Sequence, residues 1–226
     1  MTAWLNPLND LAGGLFLLTA FAMVATRQVR GCLRFFVLQS FCLIASALLI
    51  GAMTGVKELF IVAGINLITK PIVIPWLLRR SVPREIYAHR EIALALSVPT
   101  ALLIALAIAV FSYFAGRMLI GGAEVTTLLS NVPIGIAGLL IGAYTIAVRR
   151  EALPQLLGLL AMENGAFFLG VAFTPQLPLP LIAEIAAAFD TLIIVVPVGI
   201  LTRSIHERAG TTEVGSLTKL KEERLP

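Results

Sequence analysis

The chain has 226 residues, of which 58% are hydrophobic and 13% charged, with a formal net charge of +4 and a mean hydropathy of +0.95. A water-soluble domain carries about a quarter charged residues, so this composition excludes one and points to a protein that crosses the membrane several times. The basic excess is no sign of nucleic-acid binding, because the arginines gather at the ends of apolar runs, where the positive-inside rule places them.

The beginning, "MTAWLNPLND", lacks the basic segment of a cleaved signal peptide, so the first apolar run is expected to stay as a helix. Seven runs follow in chain order: residues 8–26, 32–54, 58–78, 92–116, 131–148, 153–173 and 179–202. Each has about the 20 residues that cross the hydrocarbon. Lipid offers the backbone no hydrogen-bond partner, so the runs are expected to be helices. The fold class is therefore an all-α polytopic bundle of about seven transmembrane helices.

Charge sets the orientation. Arg27, Arg30 and Arg34 flank the first connection, and Arg79, Arg80, Arg84 and Arg90 follow the third run. Arg149 and Arg150 follow the fifth, and Arg203, Arg208, Lys219, Lys221 and Arg224 follow the seventh. The other connections hold Lys57 with Glu58, Arg117 with Glu124, and no charge in "TPQLPLP". Every second connection is basic, which predicts an outer N-terminus and a cytoplasmic C-terminus. The weakly hydrophobic stretch 118–130, with Gly121, Gly122 and Glu124, suggests a division. Residues 1–120 would be a four-helix part, 121–208 a three-helix part, and 209–226 a polar cytoplasmic tail.

Cofactor chemistry is not indicated. Cys32 and Cys42 lie in one run at a spacing that makes a bridge implausible, and His89 and His206 lie near connections; no metal-ligand spacing results. No nucleophile elbow, phosphate loop or dinucleotide fingerprint is present, so no catalytic residue is expected. Gly138 and Gly142 form a GxxxG that predicts close helix packing. Gln39, Ser40 and Ser46 read as hydrogen bonds between helices.

Four ionisable residues fall inside runs: Lys70, Glu163, Glu184 and Asp190. Charge at membrane depth is costly and marks ion or proton paths. Lys70 precedes Pro71, which lacks a helix donor, and Asn66 lies one turn away on the same face. The alternative for Lys70 is to snorkel toward the cytoplasmic end. Glu163 and Asn164 sit mid-run between Gly158, Gly165 and Gly170. Burial favours the neutral form of a carboxyl and a nearby cation favours the charged form, so Glu163 is a candidate proton carrier. Asp190 with Thr191 is central in the last run, and Glu184 lies nearer the outer surface. Arg149 and Arg150 are topology residues first and possible supports of a path second.

The stretch "LLIGAYTIAVRREALPQLLGLLAMENGAFFL" resembles the K subunit of respiratory complex I and the C subunit of Mrp-type antiporters. In that pattern a helix ends in paired arginines and the next carries Gly-Leu-Glu-x-Met-x-Asn. Gly158, Leu159, Met162 and Asn164 match. The family's glutamate stands where Leu160 is here, and Glu163 follows three residues later, about 4.5 Å along the same face. Asp190, after "AAAF", is the closest counterpart of the K subunit's second acid. This part of the resemblance covers about residues 131–208.

Over essentially the whole chain, the four additional N-terminal runs, "ITKPIVIPWLLRR", "MENG" and the late aspartate resemble component E of hydrogenase-4-type complexes. These are group 4 membrane-bound nickel–iron (NiFe) hydrogenases, formate hydrogenlyase-like relatives of complex I. The resemblance implies a non-catalytic membrane subunit of a multi-subunit oxidoreductase, in the cytoplasmic membrane of a bacterium or archaeon. It implies that the NiFe centre and iron–sulfur clusters belong to partner subunits. The implied partners are antiporter-like membrane subunits, a peripheral hydrogenase or oxidoreductase module and lipid, with no nucleic acid. The reading of the buried charges supplies a compatible function: proton or sodium translocation through Glu163, Asp190, Lys70 and Glu184, with Glu163 and Asp190 exchanging a proton through water, and with Asn164, Asn66, Thr191, Arg149 and Arg150 in support. Three readings stand beside it: a subunit of an Mrp-like cation/proton antiporter, a non-conducting assembly subunit, and, less favoured because no inverted repeat is visible, an independent secondary transporter.

Overall fold

The computed structural model of the chain describes residues 4–81, 96–120 and 130–173. The expected seventh span, with Glu184, Asp190 and Thr191, and the polar tail lie outside the described residues, as do Arg84, Arg90, the two histidines and Gly121, Gly122 and Glu124. The described elements are α1 (Leu5–Ala25), α2 (Val29–Thr54), α3 (Glu58–Ile68), a π-helical turn (Thr69–Val73), α4 (Ile74–Ser81), α5 (Val98–Ile120), α6 (Asn131–Val148) and α7 (Ala152–Phe173). With α3, the π turn and α4 taken as one rod, six helices among the described residues are long and apolar enough to cross a membrane. No strand is found among the described residues beyond isolated bridge positions at Gln28, Arg149 and Glu151.

Proline marks where several helices begin. Pro7, Pro99, Pro133 and Pro154 each lie in a first turn, where a missing N–H costs no intrahelical bond. The fourth run was expected at 92–116, but its helix is Val98–Ile120. The reason is local: Ser97 caps the start, with its Oγ accepting from the Thr100 N–H at 3.5 Å and its carbonyl accepting from the Ala101 N–H at 2.9 Å. At the end of α2, Gly55 adopts φ +75° and its N–H returns to the Gly51 carbonyl, the left-handed cap that glycine adopts without strain.

Small residues let α6 and α7 approach. A Cβ at Gly135 would stand 2.7 Å from the Leu169 backbone, and those at Gly142 and Gly165 would strike the backbones of Met162 and of Gly138–Leu139. The GxxxG therefore does mark close packing, and Gly158 and Gly165 answer it from α7. Two of the four buried apolar clusters among the described residues involve α2 and α7. One joins the end of α1, the start of α2, α4 and the start of α7 around Met23, Cys32, Phe36, Leu78 and Leu157. The other joins α1, α2, α3 and α7 around Phe16, Leu43, Ile50, Leu59 and Phe168. Outside, α1 exposes Leu8, Leu11, Leu15 and Leu18, one helical face. Asn9, Gln39, Ser40, Ser46, Asn131 and Asn164 are buried. Polar groups inside and leucine outside is the arrangement lipid demands.

Replacing Gly165 by Ala is expected to cost about 1–3 kcal/mol through overpacking against α6, read as a lowered thermal midpoint of the solubilised protein. Gly64→Ala, where nothing lies within 4 Å of the added Cβ, is expected to leave the midpoint unchanged or slightly raised.

Candidate functional site

Lys70 lies halfway along the rod Glu58–Ser81, about 17 Å from either end at 1.5 Å rise per residue. Pro71 supplies no donor to the ladder, and the backbone widens there into the π turn Thr69–Val73. Such a turn at a proline is a recognised kink site. It leaves Lys70 buried and pointing across to α7. Lys70 Nζ donates to Asn164 Oδ1 at 2.7 Å, lies 3.2 Å from Glu163 Oε1 and stands 4.2 Å from the centre of the Phe167 ring. An ammonium has three donors and no acceptor, and α7 meets it with an amide oxygen, a carboxylate and a ring face. Lys70 therefore does not snorkel.

The contact continues into α2. Asn164 Nδ2 donates to Gln39 Oε1 at 3.3 Å and to Ser40 Oγ at 3.1 Å, and Ser40 Oγ donates to the Phe36 carbonyl. Lysine, two amides and a hydroxyl thus form a continuous polar layer between these two apolar clusters. Its members are buried, while Glu163 at its edge has a side chain 21% exposed against 2% for Lys70. An ammonium and a carboxylate 3.2 Å apart differ from an amine and a carboxylic acid only by the position of one proton.

Leu160, where the complex I pattern places its glutamate, is buried in the apolar cluster with Cys32, Leu156 and Leu157. Glu163, one turn on, is the position that reaches Lys70. Asn66 does not join them, contrary to expectation. Its Nδ2 donates to the Val62 carbonyl of its own helix at 3.0 Å, and its side chain borders a small crevice between α2, α3 and α7 that also touches Phe167. Among the described residues no group of three or more His, Cys, Asp or Glu side chains could hold a metal ion.

Arg149 and Arg150, paired in the sequence, separate in the structure. Arg150 is exposed, while Arg149 is 1% exposed. Arg149 Nη2 donates to the carbonyls of Met23 at 2.6 Å, Val24 at 3.0 Å and Thr26 at 2.8 Å. These carbonyls at the end of α1 have no intrahelical partner, and the cation meets the negative end of the helix dipole. Burial lowers its pKa, opposed by Cys32 and Glu151, and a guanidinium stays charged regardless. Arg149 is thus a helix cap, a role beyond topology that its sequence position did not reveal.

Two residues escaped the sequence reading. Asn9 and Asn131 border apolar runs, so they read as helix ends, yet both are buried and meet Ser46. Ser46 lies two turns from Gln39 on α2, and that seven-residue spacing was the available signal. Glu184, Asp190 and Thr191 lie outside the described residues, so the structure brings together Lys70, Glu163 and Asn164 of the expected set.

No family model matches the chain, and no solved structure matches it. It is 29% identical over 215 residues to the uncharacterized protein Rv0085 of Mycobacterium tuberculosis, covering 95% of this chain and 96% of that one. It is 27% identical over 216 residues to hydrogenase-4 component E of Escherichia coli, covering 94% and 96%, and equally so to that component in Shigella flexneri.

Arg149→Met is expected to destabilise the protein by about 3–5 kcal/mol, because two buried carbonyls and one half-buried carbonyl lose a charged donor. Arg150→Met is expected to change stability by no more than about 0.5 kcal/mol. Thermal unfolding of the two purified variants checks the contrast.

Proposed function

We propose that this chain is a membrane subunit of a hydrogenase-4-type complex and that Lys70 and Glu163 take part in moving protons through it. The observation that carries the reading is the 3.2 Å ammonium–carboxylate pair at the middle of the Glu58–Ser81 rod, one of six membrane-length helices among the described residues. Similarity to hydrogenase-4 component E along 94% of the chain supports the assignment to such a complex. In this reading the nickel–iron centre and iron–sulfur clusters sit in partner subunits, antiporter-like subunits lie alongside, and the assembly occupies the cytoplasmic membrane of a bacterium or archaeon. The N-terminus faces outward, and residues 121–208 act as the complex I-like part. Asp190 and Glu184 extend the path, and Thr191 supports it.

The proposed cycle balances one proton in against one out. A proton arriving at Glu163 neutralises the carboxylate and removes the counter-charge of Lys70. The ammonium then gives its proton onward. Transfer of the Glu163 proton to Nζ restores the starting pair. Asn164 keeps the amine in place throughout, since a neutral amine still donates to its Oδ1. A redox step in a partner drives the cycle by changing the charge near the pair, which shifts its proton affinity. Sodium could replace the proton only at the carboxylate.

Three variants of the assembled complex test this. Glu163→Gln, Lys70→Met and Lys70→Arg are each expected to lower redox-driven acidification by about tenfold or more while the complex stays assembled. The arginine variant is the sharpest, because it keeps the charge but cannot release a proton. Acidification at the original rate in Glu163→Gln or Lys70→Arg overturns the proposal in favour of a structural or assembly role. A sodium requirement for the same response, measured with labelled sodium, identifies sodium as the coupled ion.

A further inference from the structure

A second buried polar site lies toward the end of the bundle where α1 begins. Ser46 Oγ of α2 donates to Asn9 Oδ1 of α1 at 2.7 Å. Asn131 Nδ2 of α6 donates to Asn9 Oδ1 at 3.1 Å and to Ser46 Oγ at 3.3 Å. All three side chains are at most 1% exposed. Two of their polar atoms, Asn9 Nδ2 and Asn131 Oδ1, have no partner among the described residues. One is a donor and the other an acceptor. Water satisfies both, whereas a bare cation meets only the acceptor and is repelled by the amide hydrogens. Just beyond, the exposed Asp10 accepts from Ser130 Oγ at 3.4 Å, so polar groups continue to the surface of the bundle.

Apolar groups separate this site from the Lys70 layer. Phe16 of α1 and Phe168 of α7 stack with ring centroids 4.4 Å apart, and both are buried. The position of a Cβ on Gly13 lies 3.6 Å from the tip of the Phe168 ring and 3.1 Å from Asn131 Oδ1. The ring therefore sits next to the triad. On its other side, Phe168 lies one turn from Asn164. Leu43 and Cys42 fill the same interval on α2, between Ser46 and Gln39.

We propose that Asn9, Ser46 and Asn131 form a hydration site, open to water from the end of the bundle where α1 begins, and that the Phe16–Phe168 stack seals it from the Lys70–Asn164–Gln39 layer. It deepens the proton-path reading and rests on it for its purpose: the triad is the wet entrance and the stack is the barrier a proton must pass. Amides and a hydroxyl store no proton at ordinary pH, so the site passes protons by way of its water.

Thiol accessibility tests the arrangement without any transport measurement. In the assembled complex, with Cys32 and Cys42 replaced by Ala, single cysteines are placed by Ser46→Cys, Gln39→Cys and, as an exposed control, Lys57→Cys. Methanethiosulfonate ethylammonium is added from the side on which Lys57 lies. Because the thiolate reacts only where water reaches it, Ser46→Cys is expected to label about ten times faster than Gln39→Cys, and Phe168→Ala to raise Gln39→Cys labelling by about tenfold. Unreactive Ser46→Cys beside reactive Lys57→Cys overturns the hydration site. Equal labelling of Gln39→Cys and Ser46→Cys with Phe168 intact overturns the seal. Loss of acidification in Glu163→Gln with neither labelling pattern present rejects this site alone, and the labelling pattern without that loss rejects the transport reading alone.

Discussion

Lys70 puts an ammonium group halfway along a membrane-spanning rod, where leaving it without polar partners costs several kcal/mol. The surrounding helices supply what water cannot. The π turn at Pro71 accompanies the turn of the side chain toward α7. Asn164 and Glu163 receive it, and Gln39 and Ser40 hold Asn164 from the far side. Glycines between α6 and α7 set how closely α7 can lie, and so the register at which its two polar residues are presented.

Stability alone does not account for such a pair. A buried ion pair replaced by well-packed apolar residues is often neutral or stabilising, whereas removing one partner is strongly destabilising. Arg149 makes the comparison within one molecule. Its guanidinium has an evident structural task, closing the end of α1 through three carbonyls. Lys70 faces a carboxylate and an amide at mid-depth instead. The first arrangement fixes a helix end; the second sets an ammonium against a carboxylate and an amide. The two arginines that follow α6 look alike in the sequence, and only packing against α1 distinguishes the buried Arg149 from the exposed Arg150.

Much of the described bundle is legible from hydropathy, because lipid enforces helices of a certain length and leaves little else to choose. The start of α5 was misplaced because the apolar run begins before Ser97 and Pro99, which set the helix boundary. The break at Pro71 was legible from a missing N–H. What Lys70 meets was legible only as two separate oddities, since 94 residues separate it from Asn164 and periodicity says nothing of which helices adjoin. Asn66 illustrates the limit: it shares a helical face with Lys70, yet its Nδ2 donates to a carbonyl of its own helix. Asn9 and Asn131 were hidden by position, because a polar residue at the edge of an apolar run reads as an end until a neighbouring helix covers it. The shifted glutamate is explained by register: one turn earlier the chain is in an apolar cluster, and at Glu163 it is opposite Lys70.

The most direct test of this account is a double-mutant cycle between Lys70 and Glu163, with Lys70→Met, Glu163→Gln and the pair combined, read by thermal unfolding of the solubilised protein. The account predicts that the two changes are strongly non-additive, with the double variant more stable than the sum of the single losses by about 1–3 kcal/mol. Additive losses within about 0.5 kcal/mol would contradict it, since they would mean that the ammonium and the carboxylate do not depend on each other.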